Sequence, residues 1–122
     1  MATILLIDDT ESLRTSYSRF LTQLGHTVTT VSSAPEALEY LATNTPDLLL
    51  IDMLIPKMNG VELLQQYDIL NVHKGVKAIA FSNLTEPIIE AKARDLGVSL
   101  YLNKSRTTPP ELAEAITGVL AK

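Results

Sequence analysis

Cysteine is absent from the 122-residue chain, which excludes disulfide bonds, thiolate nucleophiles and zinc sites built on cysteine. Basic runs are missing too: the 10 Lys and Arg residues are scattered and the formal net charge is −4, so nothing favours a nucleic-acid surface. No apolar run approaches the roughly 20 residues that a membrane helix needs. The amino-terminal segment lacks the positive and long apolar regions of a signal peptide. We therefore predict a cytoplasmic protein without direct contacts to nucleic acid or membrane.

The length and composition favour one globular domain, predicted to span residues 1–122. A chain of this size can bury about 60 to 70% of the surface that its unfolded form exposes. Hydrophobic residues make up 46% of the chain and charged residues 20%, which is ordinary for a globular protein.

Five apolar segments alternate with five segments of helical periodicity. The predicted strands are 3–7, 27–31, 48–51, 76–81 and 98–102. The first predicted helix is 10–24, the second begins with a capping box at Ser33 and Glu36, the fourth is 86–96, and the fifth begins at Pro109. The third follows Pro56 and Gly60 and carries Val61, Leu63, Leu64, Tyr67 and Leu70. Strict alternation predicts an α/β fold with a parallel sheet covered on both faces. Since a Gly-rich phosphate loop is missing, we predict a flavodoxin-like (βα)5 doubly wound sheet of order 2-1-3-4-5.

Polar residues follow the carboxyl ends of four predicted strands. Asp8 and Asp9 follow the first strand, Asp52 the third and Ser82 the fourth, while Lys104 comes two residues after the fifth. Because ligands of open α/β sheets bind outside the carboxyl ends of the strands, we expect these five side chains to converge.

Each of these residues has a plain structural explanation when it is taken singly. Asp8 or Asp9 could cap the first helix, Ser82 could cap another, and Asp52 and Lys104 could be solvated surface charges. Together they are harder to explain, because three clustered carboxylates repel one another unless a cation neutralises them. Oxygen ligands without nearby His or Cys favour Mg²⁺.

Asp52 is the best candidate nucleophile, because it projects from the central strand beside the switch point of the sheet. An aspartate can accept a phosphoryl group, and that transfer requires neutralisation of the phosphoryl oxygens. Lys104 and Ser82 could supply a positive charge and a hydroxyl for this purpose.

The dispersed set resembles the receiver domain of two-component response regulators, and the resemblance covers essentially the whole chain. The segment 52–60 is similar to the family's phosphorylation loop, with its Pro and Gly in place. Tyr101 matches the family's aromatic switch position. The resemblance implies a phosphorelay protein that serves as phosphoacceptor for a sensor histidine kinase or a phosphotransfer protein. It further implies control of a downstream effector protein or a fused output domain.

The resemblance also implies a role for each site residue. Asp52 would be the phosphoacceptor and a ligand of Mg²⁺, together with Asp9 directly, Asp8 mainly through water, and the backbone carbonyl of Leu54.

Three further residues would respond to the phosphoryl group. Ser82 and Lys104 would bind its oxygens, and Tyr101 would turn inward. The face formed by the fourth helix, fifth strand and fifth helix would then engage a partner.

Three positions depart from the family pattern. Ser105 follows Lys104 where the family usually has a proline after a cis bond. A cis bond before Ser costs about 2.5 to 4 kcal/mol, so we expect a strained or differently shaped loop. Asn83 is larger than the Ala or Gly often found after the fourth strand, and we expect it to crowd access to Asp52. Asn59 stands at a loop position where the family commonly has Asp.

Leu54 and Leu84 occupy the positions that flank the attacking water in the family. Because both are apolar, neither can orient water by a hydrogen bond, and we predict slow self-dephosphorylation. The protein would thus catalyse its own phosphotransfer without being a conventional enzyme.

Three other interpretations stay open. A degenerate receiver could act as a phosphorylation-independent binding module, which the departures at Asn83 and Ser105 favour. An aspartyl-phosphate phosphohydrolase would typically carry a second Asp where Leu54 stands. A nucleotide or flavin protein would need a Gly-rich loop. His26 and His73 are predicted in loops or at a strand edge, away from other ligands.

Overall fold

A computed structural model of the chain describes residues 2–54, 59–66, 68, 75–84 and 86–121. Five strands form one parallel sheet in the order 2-1-3-4-5, so the predicted flavodoxin-like fold is confirmed. The strands are β1 (Thr3–Ile7), β2 (Thr27–Val31), β3 (Leu48–Ile51), β4 (Lys77–Ser82) and β5 (Leu100–Asn103). The helices are α1 (Glu11–Gln23), α2 (Ala34–Leu41), α3 (Gly60–Gln66), α4 (Pro87–Asp95) and α5 (Pro109–Leu120).

The central strands are covered on both faces, as their unbroken apolar sequences predict. All four residues of β3 are fully buried, whereas the edge strand β2 exposes Thr27 and Thr30 and buries only Val31. Because alternate residues of a strand point to opposite faces, the sheet separates two cores. One packs β1 and β3 against α2, α3 and α4 through the residues Leu5, Ile7, Leu49, Ile51, Ala37, Leu41, Leu63, Leu64 and Ala93. The other packs them against α1 and α5 through Ile4, Leu6, Leu48, Leu50, Leu21, Leu112, Ile116 and Val119.

The register aligns the carboxyl ends of the strands. Ile7 pairs with Ile51 across β1 and β3, so Asp8 and Asp52 leave the sheet side by side. Ser82 pairs with Asn103 across β4 and β5, which brings the residues after β5 to the same edge.

Helix caps follow the sequence signals closely. Ser33 accepts a hydrogen bond from the Glu36 N–H, and Thr108 forms a reciprocal capping box with Glu111 before α5. Thr10 occupies the N-cap position of α1 without a side-chain bond. Gly25 ends the turn after α1 at φ +97°, a conformation that a side chain would strain.

The strands β1, β2 and β3 have their predicted bounds, whereas the ends of β4, β5, α1 and α4 shift by one or two residues. The largest shift is at β5, which begins at Leu100 and not at Val98. The N–H of Val98 bonds back to the Ala93 carbonyl of α4 at 3.1 Å and therefore closes the helix.

Some sequence predictions fall outside the described residues: those for Pro56, Tyr67, Leu70 and His73. His26 lies at the turn before β2, where its Nδ1 accepts a hydrogen bond from the Ala2 N–H. None of the helices in the described part of the chain combines the length and hydropathy required to span a bilayer.

Candidate functional site

The carboxyl edge of the sheet brings three carboxylates together. One oxygen from each of Asp8, Asp9 and Asp52 lies within 4.8 Å of the others. Their surroundings differ, since Asp8 is 1% exposed and Asp52 7% exposed, whereas Asp9 is open to solvent. Asp8 also accepts the Thr10 N–H at 2.9 Å, so it serves the start of α1 as well as the cluster. The cluster therefore has a buried floor and one solvent-facing carboxylate.

Lys104 supplies the positive charge at the floor of this cluster. Its ammonium donates to Asp52 Oδ2 at 2.7 Å and also to Asp8 Oδ2, and its side chain is 6% exposed. Burial by itself lowers the pKa of Lys104, but the hydrogen bonds and charges of Asp52 and Asp8 outweigh burial and raise the pKa above its usual value. Lys104 is therefore protonated at neutral pH.

The carboxylate of Asp52 accepts hydrogen bonds on both oxygens. Oδ1 receives the Leu54 N–H at 2.9 Å and the Ser82 hydroxyl at 2.8 Å, and Oδ2 receives Lys104. Ser82 is fully buried, and its Oγ accepts the Leu84 N–H at 3.1 Å. The Ser82 hydroxyl and the Lys104 ammonium thus each lie within hydrogen-bond distance of an Asp52 carboxylate oxygen.

Gly60 lets the chain return close beneath Asp52 after the loop. Its N–H bonds to the Met53 carbonyl at 3.1 Å. A Cβ at this position would lie only 3.0 Å from the Asp52 carbonyl oxygen and would also collide with the Met53 side chain. A larger residue at Gly60 would therefore displace the backbone that carries Asp52.

Tyr101 lies beside the site without contacting Asp52. It is half-buried on β5 and donates a hydrogen bond to the Leu84 carbonyl. Burial raises the pKa of the Tyr101 hydroxyl to about 12, with further contributions from the charges of Glu90 and Asp52. The Tyr101 hydroxyl is therefore bonded to the loop that follows Ser82.

The two predicted flanking residues differ in their exposure. Leu54 is 53% exposed, whereas Leu84 is half-buried against the α2, α3 and α4 core. Only the N–H of Leu54 is placed at the site by a hydrogen bond, so a metal contact of its carbonyl stays a prediction.

The loop after β5 is shaped differently from the family's loop with a cis bond, which is one of the two outcomes that the sequence predicted. The Lys104–Ser105 bond is trans, and Lys104–Arg106 forms a 3₁₀ turn capped by the Asn103 side chain. Lys104 nevertheless reaches both Asp8 and Asp52.

Sequence reasoning missed several supporting residues. Arg14 donates to the Asp8 carbonyl at 2.8 Å, and the Phe81 ring centroid lies 5.9 Å from the Lys104 ammonium. Tyr17 packs edge-on against Phe81 with 5.0 Å between the ring centroids. The only available signals were an arginine one turn into α1 and an aromatic residue before Ser82, and both signals are weak.

Comparisons with known proteins identify the family. A family model described as the response regulator receiver domain matches residues 4–117. This chain is a receiver domain of that family. The DNA-binding transcriptional regulator NtrC of Klebsiella pneumoniae is 44% identical over 114 residues, which cover 93% of this chain and 23% of that protein. The gliding motility regulatory protein of Myxococcus xanthus is 30% identical over 113 residues, which cover 93% of this chain and 14% of that protein.

Solved structures agree with the family assignment. The CheY-like receiver domain protein from Methanospirillum hungatei JF-1 superposes with a TM-score of 0.92 at 26% identity, covering 99% of this chain and 94% of that one. A LuxR-family response regulator from Aurantimonas sp. SI85-9A1 gives a TM-score of 0.87 at 28% identity, covering 99% of this chain and 86% of that one. By contrast, this receiver domain spans less than a quarter of the length of either curated relative named above.

Proposed function

We propose that this receiver domain is a signalling switch that accepts a phosphoryl group on Asp52. The observation that carries the proposal is the buried Asp52 carboxylate, which bonds to Lys104 and Ser82 and lies within 4.8 Å of two more carboxylates. A histidine kinase or a phosphotransfer protein would be the donor, in keeping with the family. The cytoplasm is the location where we expect such a donor.

The proposed transfer is an in-line displacement at phosphorus. An oxygen of Asp52 forms the new O–P bond while the bond between phosphorus and the donor breaks, and the donor leaves with that electron pair. The Lys104 ammonium and the Ser82 hydroxyl move from the Asp52 carboxylate to oxygens of the phosphoryl group. Both groups are pre-positioned, because each already contacts Asp52.

The donor set fits Mg²⁺. Three carboxylates and one ammonium give the cluster a formal charge of −2, and all side-chain donors are hard oxygens. Asp8, Asp9 and Asp52, with the Leu54 carbonyl, would hold the ion. When bound, Mg²⁺ neutralises charge on the phosphoryl oxygens.

Phosphorylation would reach the partner surface through Ser82 and Tyr101. Ser82 accepts the Leu84 N–H, and the Leu84 carbonyl accepts the Tyr101 hydroxyl. A shift of Ser82 towards the phosphoryl group therefore pulls on the residue that holds Tyr101. We expect the α4–β5–α5 face to change and to engage an effector protein or a fused output domain, because this short path couples it to Asp52.

A phosphorylation-independent binding module is the second candidate. It is favoured by one observation: every buried side-chain nitrogen or oxygen in the described residues already has a hydrogen-bond partner. The site is thus satisfied without a phosphoryl group. The excess of carboxylates over cations argues against this candidate.

Incubation with acetyl phosphate and Mg²⁺, followed by intact-mass measurement, separates the two candidates. We expect a gain of about 80 Da that survives acid and is lost in alkali, as an acyl phosphate requires. Asp52→Asn, which keeps the shape of the side chain, should show no gain. A folded wild-type protein that gains no mass would contradict the switch and leave the binding module.

A further inference from the structure

Two loops meet beside the site through a side chain on each. Asn83 begins the β4–α4 loop, and its Oδ1 accepts hydrogen bonds from the Ser105 hydroxyl at 2.8 Å and the Ser105 N–H at 3.1 Å. The two residues are 22 positions apart in the sequence. The contact therefore depends on the pairing of β4 with β5 and is not a local turn.

This contact joins the neighbours of two residues that bond to Asp52. Asn83 directly follows Ser82, and Ser105 directly follows Lys104. The Ser105 N–H is shared with Asn103 Oδ1 at 2.9 Å, which caps the 3₁₀ turn. Any separation of the two loops would therefore move the hydroxyl of Ser82 relative to the ammonium of Lys104.

Both members of the contact stand at positions where the sequence departs from the pattern of the family, and together they supply its acceptor and its donors. A proline at position 105 would offer neither an N–H nor a hydroxyl. An alanine or glycine at position 83 would offer no side-chain acceptor. The Lys104–Ser105 bond is trans, and in this loop the Ser105 hydroxyl and N–H both donate to Asn83 Oδ1.

We propose that Asn83 and Ser105 form a clasp that positions Lys104 and Ser82 around the phosphoryl group on Asp52. The clasp deepens the proposed function and rests on it. Asn83 and Ser105 are positioning residues in this scheme, because neither contacts Asp52. The clasp is an alternative to the expectation that Asn83 obstructs Asp52, and it rests on the amide oxygen of Asn83, which accepts hydrogen bonds from Ser105 on the neighbouring loop.

The direction in which the phosphorylation rate changes on replacing Asn83 or Ser105 distinguishes the clasp from obstruction. Asn83→Leu keeps the bulk and removes the acceptor, and Ser105→Ala removes the hydroxyl. We expect each to slow phosphorylation by acetyl phosphate about 5- to 10-fold, equivalent to about 1 to 1.4 kcal/mol in the activation free energy. The double variant should be no slower than Asn83→Leu, because Asn83→Leu already removes the acceptor of both hydrogen bonds, whereas Ser105→Ala removes only the bond from the hydroxyl. Ser105→Thr should retain the wild-type rate, as should Asn44→Leu, a matched change at an exposed turn before β3.

Chemical labelling of Lys104 tests the clasp without relying on phosphorylation. The side chain is 6% exposed, so its amine should react slowly with trace acetic anhydride. We expect Asn83→Leu and Ser105→Ala to raise the acetylation rate of Lys104 about 5-fold while that of the exposed Lys92 stays constant. Unchanged labelling of Lys104 in both variants would overturn the clasp, and so would faster phosphorylation of Asn83→Ala. A wild-type protein that is never phosphorylated would refute the proposed function, whereas the labelling would still decide whether the clasp holds Lys104.

Discussion

Replacement of Lys104 by methionine should destabilise the domain strongly in the absence of Mg²⁺. At 2.7 Å, the attraction between its ammonium and Asp52 amounts to about 6 kcal/mol at an effective dielectric constant of about 20. Desolvation of the ion pair offsets part of this value, and removing one partner of a buried pair typically costs about 3 to 5 kcal/mol. Protonation limits the loss, since protonating an ordinary aspartate at pH 7 costs about 4 kcal/mol. We therefore expect Lys104→Met to lose about 3 to 4 kcal/mol of unfolding free energy at pH 7.

The same reasoning predicts how the loss depends on conditions. At pH 5 the limit set by protonation falls to about 1.5 kcal/mol, so the difference from wild type should shrink accordingly. Mg²⁺ at about 100 times its dissociation constant for Lys104→Met should stabilise that variant by about 2.7 kcal/mol relative to its metal-free form, because the ion binds only the folded state. Asp52→Asn added to Lys104→Met should also recover part of the loss.

Urea unfolding of the wild type, Lys104→Met and the double variant in a chelating buffer at pH 7 and pH 5, and again with Mg²⁺ in place of the chelator, measures these differences. The denaturation midpoint should fall while the slope stays the same. A loss below about 1 kcal/mol at pH 7, or a loss that does not change between pH 7 and pH 5, would refute the reasoning. Either result would mean that the buried carboxylates do not depend on Lys104.

Three more predictions concern water access and titration. Leu54→Asn should speed dephosphorylation about 5- to 10-fold, because one added hydrogen bond can orient the attacking water. Phosphorylated Leu54→Val should decay at the wild-type rate. Equal decay rates of the two variants, measured by intact mass, would contradict this prediction. The difference in tyrosinate absorbance between the wild type and Tyr101→Phe should titrate with a midpoint of about pH 12. The stability contributed by this hydroxyl is therefore present below pH 10 and is lost as the pH rises to about 12. A midpoint near pH 10 would contradict the buried position of Tyr101. Burial, followed by the charge of the terminal amine, lowers the pKa of His26. The contribution of His26 to the free energy of unfolding is therefore present above pH 6.5 and is lost as the pH falls. His26→Gln should reduce this pH dependence of the unfolding free energy in urea, and an unchanged pH dependence would show that it comes from another group.

The strand order and the convergence of the site could be predicted from the sequence for one physical reason. Strands buried on both faces require unbroken apolar runs, and the residues that end such runs in a parallel sheet emerge at one edge. Asp8 and Asp52 follow such runs, and Lys104 follows the half-buried strand β5 of the same parallel sheet, so their meeting depended on topology alone.

Finer features depended on contacts that no local pattern encodes. Asp8 is buried and its N–H bonds to the Val31 carbonyl of β2 at 3.1 Å, whereas the next residue, Asp9, is exposed. The link between Asn83 and Ser105 requires two rotamers on separate loops, and the sequence predicted only that each position was unusual. The start of β5 was misplaced because the Val98 N–H bonds to α4.

The central claim is that Asp52, and not a neighbouring carboxylate, carries the phosphoryl group. Borohydride reduces an acyl phosphate to an alcohol, so the modified aspartate becomes homoserine and loses about 14 Da relative to the unmodified residue. After treatment with acetyl phosphate and Mg²⁺, peptide sequencing by mass spectrometry should find this change at Asp52 and leave Asp8 and Asp9 intact. Reduction at Asp8 or Asp9, or at none of the three in a folded protein, would contradict the account.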